Sequence, residues 1–276
     1  MITNPIIPIV LQSDRGFDNK FTGTVYFCDI DKTYLDTKFE TLGGLVSTLL
    51  DFAIDKVSIS GMDFLLKGVR RDENTINAIY FISASPKEMK NIITKKLTLD
   101  GVQFDGICLR DQLYYMKKLK FKSLKKPFSF KLLALLTYNS LLPEGIDYVL
   151  IGDNTESDAH IYKFFSEILK TGKINISKLR EFIDDDDEIN EILQFNNKIK
   201  SGNVERIYIN HYIKEKNESI KDVIFYDHSI EVMLDLYKLD KIDKFYIKKA
   251  VHKLNIDINS LSQENRKIME KILKNE

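Results

Sequence analysis

Two short strings place carboxylates directly behind apolar runs. Asp29 and Asp31 follow TVYFC in the order Cys28-Asp29-Ile30-Asp31-Lys32-Thr33, and Asp153 and Asp158 follow YVLI within GDNTESD at 152–158. Like charges this close raise one another's pKa unless a cation or hydrogen bonds offset them. A hard divalent cation with oxygen ligands resolves the repulsion, and Mg²⁺ is the usual choice where phosphates are handled. Each string alone is weak, since DxDxT arises by chance and GD after a strand is commonly a turn. Their joint placement at two strand ends makes them a candidate site.

Two further residues complete the constellation. The run 78–82 (AIYFI) leads into Ser83-Ala84-Ser85-Pro86-Lys87-Glu88. Ser85, Pro86 and Glu88 read as a helix start: N-cap, proline at N1 and a capping-box glutamate. Ser83 is then left to donate its hydroxyl to an anion beside that helix N-terminus. Lys131 falls in the first turn of a helix predicted over 129–141, where a lysine works against the helix dipole. It reads either as an ordinary surface lysine or as a cation with an electrostatic task, and Lys125 and Lys126 compete with it. Cys28 precedes Asp29 on a strand and therefore points away from the site as a small core residue. His160, His211, His228 and His252 show no HxH or HExxH spacing, and His160 reads as a helix-surface residue.

These residues need a scaffold that brings strand ends together. Five runs read as strands: 24–28, 78–82, 106–109, 148–151 and 206–213, with a further one open at 223–226. The first four are continuous, aromatic or β-branched and barely alternate, as strands buried on both faces do. Helical spacing separates them at 41–53, 61–71, 86–97 and 129–141. Strand–helix–strand alternation implies right-handed crossovers and a parallel sheet with helices on both sides. The predicted fold is an α/β three-layer sandwich of five parallel strands, the first central and flanked by the second and fourth. Ligands bind such sheets at the carboxyl ends of the strands.

The 276 residues carry 41 basic and 41 acidic side chains, 43% hydrophobic and 30% charged residues. That composition fits a globular chain with one full core and an appendage. Neutrality argues against a general nucleic-acid binder, which needs a basic field. Two cysteines without a CxxC partner indicate neither a zinc site nor a disulfide framework. The N-terminal MITNPIIPIV has no basic region and is broken by Pro5 and Pro8, so it does not read as a signal peptide. No run approaches the roughly 18 apolar residues of a membrane span. The expected compartment is cytoplasmic. Beyond about residue 160 helical patterns dominate, and the acidic run 184–188 reads as a solvated loop or helix end.

In this order, DIDKT at 29–33, the strand-end Ser83, Lys131 and GDNTESD resemble the haloacid-dehalogenase-like (HAD) hydrolase superfamily over roughly residues 20–165. Within it, SASP at 83–86, LRD at 109–111 and GDNTESDAHIY at 152–162 look like the actin-patch-associated phosphatidate phosphatase catalytic domain. The resemblance implies a HAD-like Rossmannoid core and Mg²⁺-dependent phosphoryl transfer through an aspartyl phosphate. It implies Asp29 as nucleophile, Asp31 as general acid and then base, and Thr33 as a loop-fixing residue. Ser83 and Lys131 would hold the phosphoryl oxygens. Asp153 would bind Mg²⁺ with Asp29 and the Asp31 carbonyl, and Asp158 would position the metal's water or Lys131. Lys32 departs from the closer family, where an acidic residue is common. The expected organisation is a catalytic core at 1–165, a helical insertion at 166–204, and a last strand with C-terminal helices at 205–276.

The intervals between Asp31 and Ser83 and between Ser83 and Lys131 leave no room for a large lid, so the cap is small or absent. An open site favours a phosphorylated lipid, another bulky phosphoester or a phosphorylated macromolecule; alternatively, the insertion serves as the lid. The lysine- and aromatic-rich segment 114–131 reads as a surface loop or as peripheral membrane contact. The basic amphipathic stretch 244–254 is expected to pack on the core. A phosphotransferase and a non-catalytic phospholigand-binding protein remain open beside the phosphatase.

Overall fold

The computed structural model describes residues 7, 9–17, 21–36, 58–70, 77–112, 127–214 and 219–274. In chain order these form β1 (Ile9–Ser13), β2 (Thr24–Cys28), α1 (Met62–Arg70), β3 (Ala78–Pro86), a 3₁₀ turn (Lys87–Met89), α2 (Lys90–Leu99) and β4 (Gly106–Arg110). There follow α3 (Phe128–Leu141), β5 (Ile146–Asp153), α4 (Asp158–Thr171), α5 (Ile176–Leu179), α6 (Asp186–Leu193), β6 (Gly202–Asn210) and β7 (Ile224–Tyr226). The chain ends in α7 (Ser229–Lys238), α8 (Lys244–Leu254), a 3₁₀ turn (Ile258–Ser260) and α9 (Gln263–Lys274).

The strands make one sheet in the order β1-β4-β3-β2-β5-β6-β7, parallel except for β1. β2 is central between β3 and β5, as the sequence predicts. Because successive strand residues face opposite sides, β2 feeds two separate cores. Tyr26 and Cys28 join α1, α2 and α7–α9 on one face, while Val25 and Phe27 join α3, α4 and α6 on the other. That two-sided burial explains why the strand runs barely alternate. The helices after residue 160 divide between the two faces rather than gathering around β6.

Several expectations need correction. The sheet has seven strands rather than five, because β1 forms an antiparallel edge against β4 and 224–226 extends the other edge. β1 lies in the proline-broken N-terminal stretch, and an edge strand needs only one partner. β6 ends at Asn210, not at 213: the Tyr212 amide turns back to the Asn210 carbonyl at 2.9 Å. Ser85 is not a helix N-cap. β3 runs on through Pro86, whose 3₁₀ turn has no side-chain cap, and α2 starts only at Lys90. The predicted helix at 41–53, Lys125, Lys126 and most of the segment 114–131 lie outside the described residues. No described helix is long and apolar enough to cross a membrane.

Candidate active site

Cys28 is the last residue of β2 in register, paired with Phe81 of β3 and Ile151 of β5. Asp29 therefore emerges between β3 and β5, and Ser83 and Asp153 lie two residues beyond the strand partners of Cys28. The Asp29 amide donates to the Ile151 carbonyl at 2.9 Å. The chain then turns tightly: the amides of Tyr34 and Leu35 both donate to the Ile30 carbonyl, at 2.9 and 2.8 Å. Lys32 takes φ 62°, a left-handed conformation costing a β-carbon-bearing residue about 1–2 kcal/mol. Its carbonyl accepts from Asn210 Nδ2 at 3.0 Å, so the end of β6 props the turn.

Asp29, Asp153 and Asp158 are buried together, with one oxygen of each lying within 4.8 Å of the others. Asp153 ends β5, and one of its oxygens accepts the Thr155 amide at 2.6 Å. Asp158 opens α4 and reaches back so closely that a Cβ on Gly152 would collide with its carboxylate. Glycine in GDNTESD is thus required by close approach, not merely by a turn. Lys131 enters from the first turn of α3 and is 1% exposed, which removes the surface-lysine reading. Its Nζ lies 2.5 Å from Asp158 Oδ1, 3.0 Å from Asp29 Oδ1 and 2.9 Å from Glu156 Oε2.

One ammonium thus faces four carboxylates, counting the distal Asp153. Burial pushes Asp29 well above the ordinary carboxylate range, against the pull of Lys131, and pushes Asp153 up in the same way. Burial raises Asp158 to about 7 despite Lys131. Lys131 behaves oppositely: burial works against its charge, but Asp158, Asp29 and Glu156 outweigh it and hold the ammonium charged. Among the described residues the group is short of positive charge, and its donors are all hard oxygens. These are the conditions under which a divalent cation binds, and the residues present fit a hard one such as Mg²⁺.

The Asp31 side chain is turned to β3 instead. Its Oδ2 accepts from Ser83 Oγ at 2.8 Å and from Ser85 Oγ at 2.6 Å. The Ser83 hydroxyl also accepts the Ser85 amide at 2.9 Å, which fixes the SAS corner. Thr33, fully buried, sets its hydroxyl 3.4 Å from both Asp29 Oδ2 and Asp153 Oδ2. Lys131, Asp29, Asp153 and Asp158 are thereby gathered at one point, with Thr33 beside them and Asp31 and Ser83 paired along the adjoining strand end.

Sequence reasoning missed four contributors. Ser85 reads as a cap because Ser-Pro-x-Glu is a helix-start pattern; only the continued strand turns its hydroxyl to Asp31. Glu156 and Asn154 lie in a string already singled out, but without a role. Asn154 clamps the segment after β6, its Nδ2 donating to the Ile213 carbonyl and its Oδ1 accepting the Ile213 amide, both at 2.8 Å. Asn210 had no sequence signal at all. Elsewhere the plain readings hold. Cys28 is buried, and burial pushes its thiol up. His160 lies on the exposed face of α4 beside the Phe182 ring. In the acidic run, Asp185 caps α6 by accepting the Asp187 and Glu188 amides. α8 buries Ile247, Ala250 and Val251 in the core.

Comparison of the chain with curated proteins and with solved structures finds no match. A family model does match: that of the phosphatidate phosphatase APP1 catalytic domain, over residues 25–181. The span runs from β2 through α5 and contains the carboxylates, Thr33, Ser83 and Lys131 of the carboxyl edge; Asn210 of β6 lies beyond it. Matched over more than half its length by that model, the chain belongs to the APP1 catalytic-domain family, a HAD-like phosphatase family.

Proposed function

We propose that the protein is a Mg²⁺-dependent phosphatase of the HAD type that hydrolyses a phosphatidate-like lipid phosphomonoester through an aspartyl phosphate. The observation that carries the reading is the buried Asp29–Asp153–Asp158 group held by Lys131, in a chain of this family. On this reading residues 1–165 form the catalytic core, 166–204 a helical insertion, and 205–276 the last strands and C-terminal helices.

Asp29 attacks phosphorus through a carboxylate oxygen, and the ester P–O bond breaks. Asp31 gives its proton to the departing oxygen. It then takes a proton from water as that water attacks phosphorus, which breaks the bond to Asp29 and frees orthophosphate. Ser83 leaves Asp31 to donate to a phosphoryl oxygen, and Lys131 holds another. Thr33 keeps the Asp29 and Asp153 carboxylates oriented. Asp29, Asp153, Asp158 and the Asp31 carbonyl would hold Mg²⁺, which when bound offsets the repulsion between an anionic nucleophile and an anionic substrate.

Phosphate release from phosphatidate vesicles, with and without Mg²⁺, tests this directly. The wild type is expected to require Mg²⁺ and to prefer phosphatidate to soluble sugar and nucleotide phosphates. Asp29→Asn is expected to lose at least about 10³-fold in kcat. Activity surviving in Asp29→Asn overturns the nucleophile. A clear preference for soluble metabolites overturns the lipid substrate, and inactivity across a broad phosphoester panel favours a phospholigand-binding protein.

A further inference from the structure

Lys131 has three ammonium hydrogens, and three carboxylates surround it. Two of these cannot leave. Asp158 is fully buried, lies against the Gly152 backbone and stands 3.4 Å from the Asp153 amide. Asp29 is 3% exposed and fixed by its position at the end of β2. Releasing either would strand a buried charge. Glu156 differs on every count. Its side chain is 35% exposed, it belongs to the short loop between β5 and α4, and among the described residues its one ion pair is with Lys131. Water can rehydrate the Glu156 carboxylate when it parts from Lys131, and the ammonium keeps Asp29 and Asp158 beside it.

We propose that Glu156 is the placeholder for the substrate phosphate: of the three described carboxylates paired with Lys131, its side chain is the solvent-exposed one, and it swings into water when a phosphoryl group takes that seat. The inference rests on the phosphatase reading and deepens it by naming the residue that sets how tightly phosphate is held. Before substrate arrives, Glu156 places a further carboxylate 2.9 Å from the buried ammonium. Afterwards it stands as a like charge beside the bound group, which weakens the hold on orthophosphate and favours its release.

Calorimetric titration of inorganic phosphate into the full-length protein in Mg²⁺-containing buffer tests the idea. Glu156→Gln, nearly isosteric and neutral, is expected to bind phosphate about fivefold more tightly than the wild type and to lower KM for an aryl phosphate more than it changes kcat. Glu156→Asp keeps the charge but is shortened by one methylene, so it withdraws from Lys131 and is expected to tighten binding as well. Unchanged or weaker phosphate binding in Glu156→Gln overturns the placeholder. So does an Asp variant that binds as the wild type does, since charge alone would then account for the effect. If the wild type hydrolyses phosphoesters and Glu156→Gln shows no tightening, the placeholder alone falls. If the wild type neither binds phosphate nor hydrolyses any phosphoester, the phosphatase reading falls with it.

Discussion

The two ends of the sheet each bury carboxylate, and they treat it in opposite ways. At the amino end Asp105, just ahead of β4, is almost completely buried but fully answered. It forms a two-pronged pair with Arg70 of α1, accepts the Ile79 amide at 2.8 Å and has Arg15 at 3.9 Å. At the carboxyl end, among the described residues, Asp29 and Asp158 pair with a single ammonium, with Asp153 beside them and Glu156 adding a further negative charge. A carboxylate with matched donors staples a fold. A cluster left short of positive charge is built to receive a cation, and it accepts poorer stability for that purpose.

The largest expected effect tests this contrast by removing the lone cation. In divalent-free buffer, Lys131→Met strands three buried carboxylates and should lose about 3–5 kcal/mol of stability by urea denaturation. Arg70→Met at the amino end should lose less, because Arg15 and the Ile79 amide remain. Added Mg²⁺ should recover part of the Lys131→Met deficit and none of the Arg70→Met deficit. Equal recovery in both would erase the distinction between the two ends.

The next effect is the response to the metal and to pH. At a hundredfold excess over its Kd, Mg²⁺ should stabilise the wild type by about 2.7 kcal/mol. Asp153→Asn should abolish that gain, and Asp105→Asn should leave it intact. Without divalent cations, Asp158 titrates near 7 in the fold against about 3.9 unfolded. A raised carboxyl pKa contributes stability below the unfolded value that is lost as pH rises through the folded one. The Tm of the metal-free protein should therefore fall from pH 5 to pH 8. Asp158→Asn should flatten that slope, and a Tm that rises over the same range would contradict the buried-carboxylate account.

The smallest effect separates activity from stability within the carboxyl edge itself. Ser85→Ala removes one of two hydroxyls held on Asp31, with Ser83 still in place. It should lower kcat about tenfold while Tm moves little. A large Tm loss with unchanged kcat would return Ser85 to the purely structural role that its Ser-Pro-x-Glu context suggests.

Much of the molecule was legible before any coordinates. Continuous apolar runs identify buried parallel strands, and carboxylates at their ends mark Asp29 and Asp153, because neither pattern depends on distant residues. β1 was illegible, since an edge strand inside a proline-broken stretch carries no periodic signal of its own. Ser85 was misassigned because a local capping pattern and a strand extension compete for the same residues, and the ladder with β4 decided between them.

By itself, then, the sequence determined the chemical types available: acids after two strands, a serine after a third and a lysine in a helix's first turn. Their order along the chain limits the site to a sheet whose strand ends converge. Only the tertiary structure decided that Lys131 is buried and how many of the described carboxylates it faces. It also decided that Asp31 is held by two hydroxyls and that, among the described residues, Glu156 is the one partner of Lys131 with access to water. Burial and charge balance arise from elements far apart in sequence, here β2, α3 and α4, and no local pattern encodes their sum.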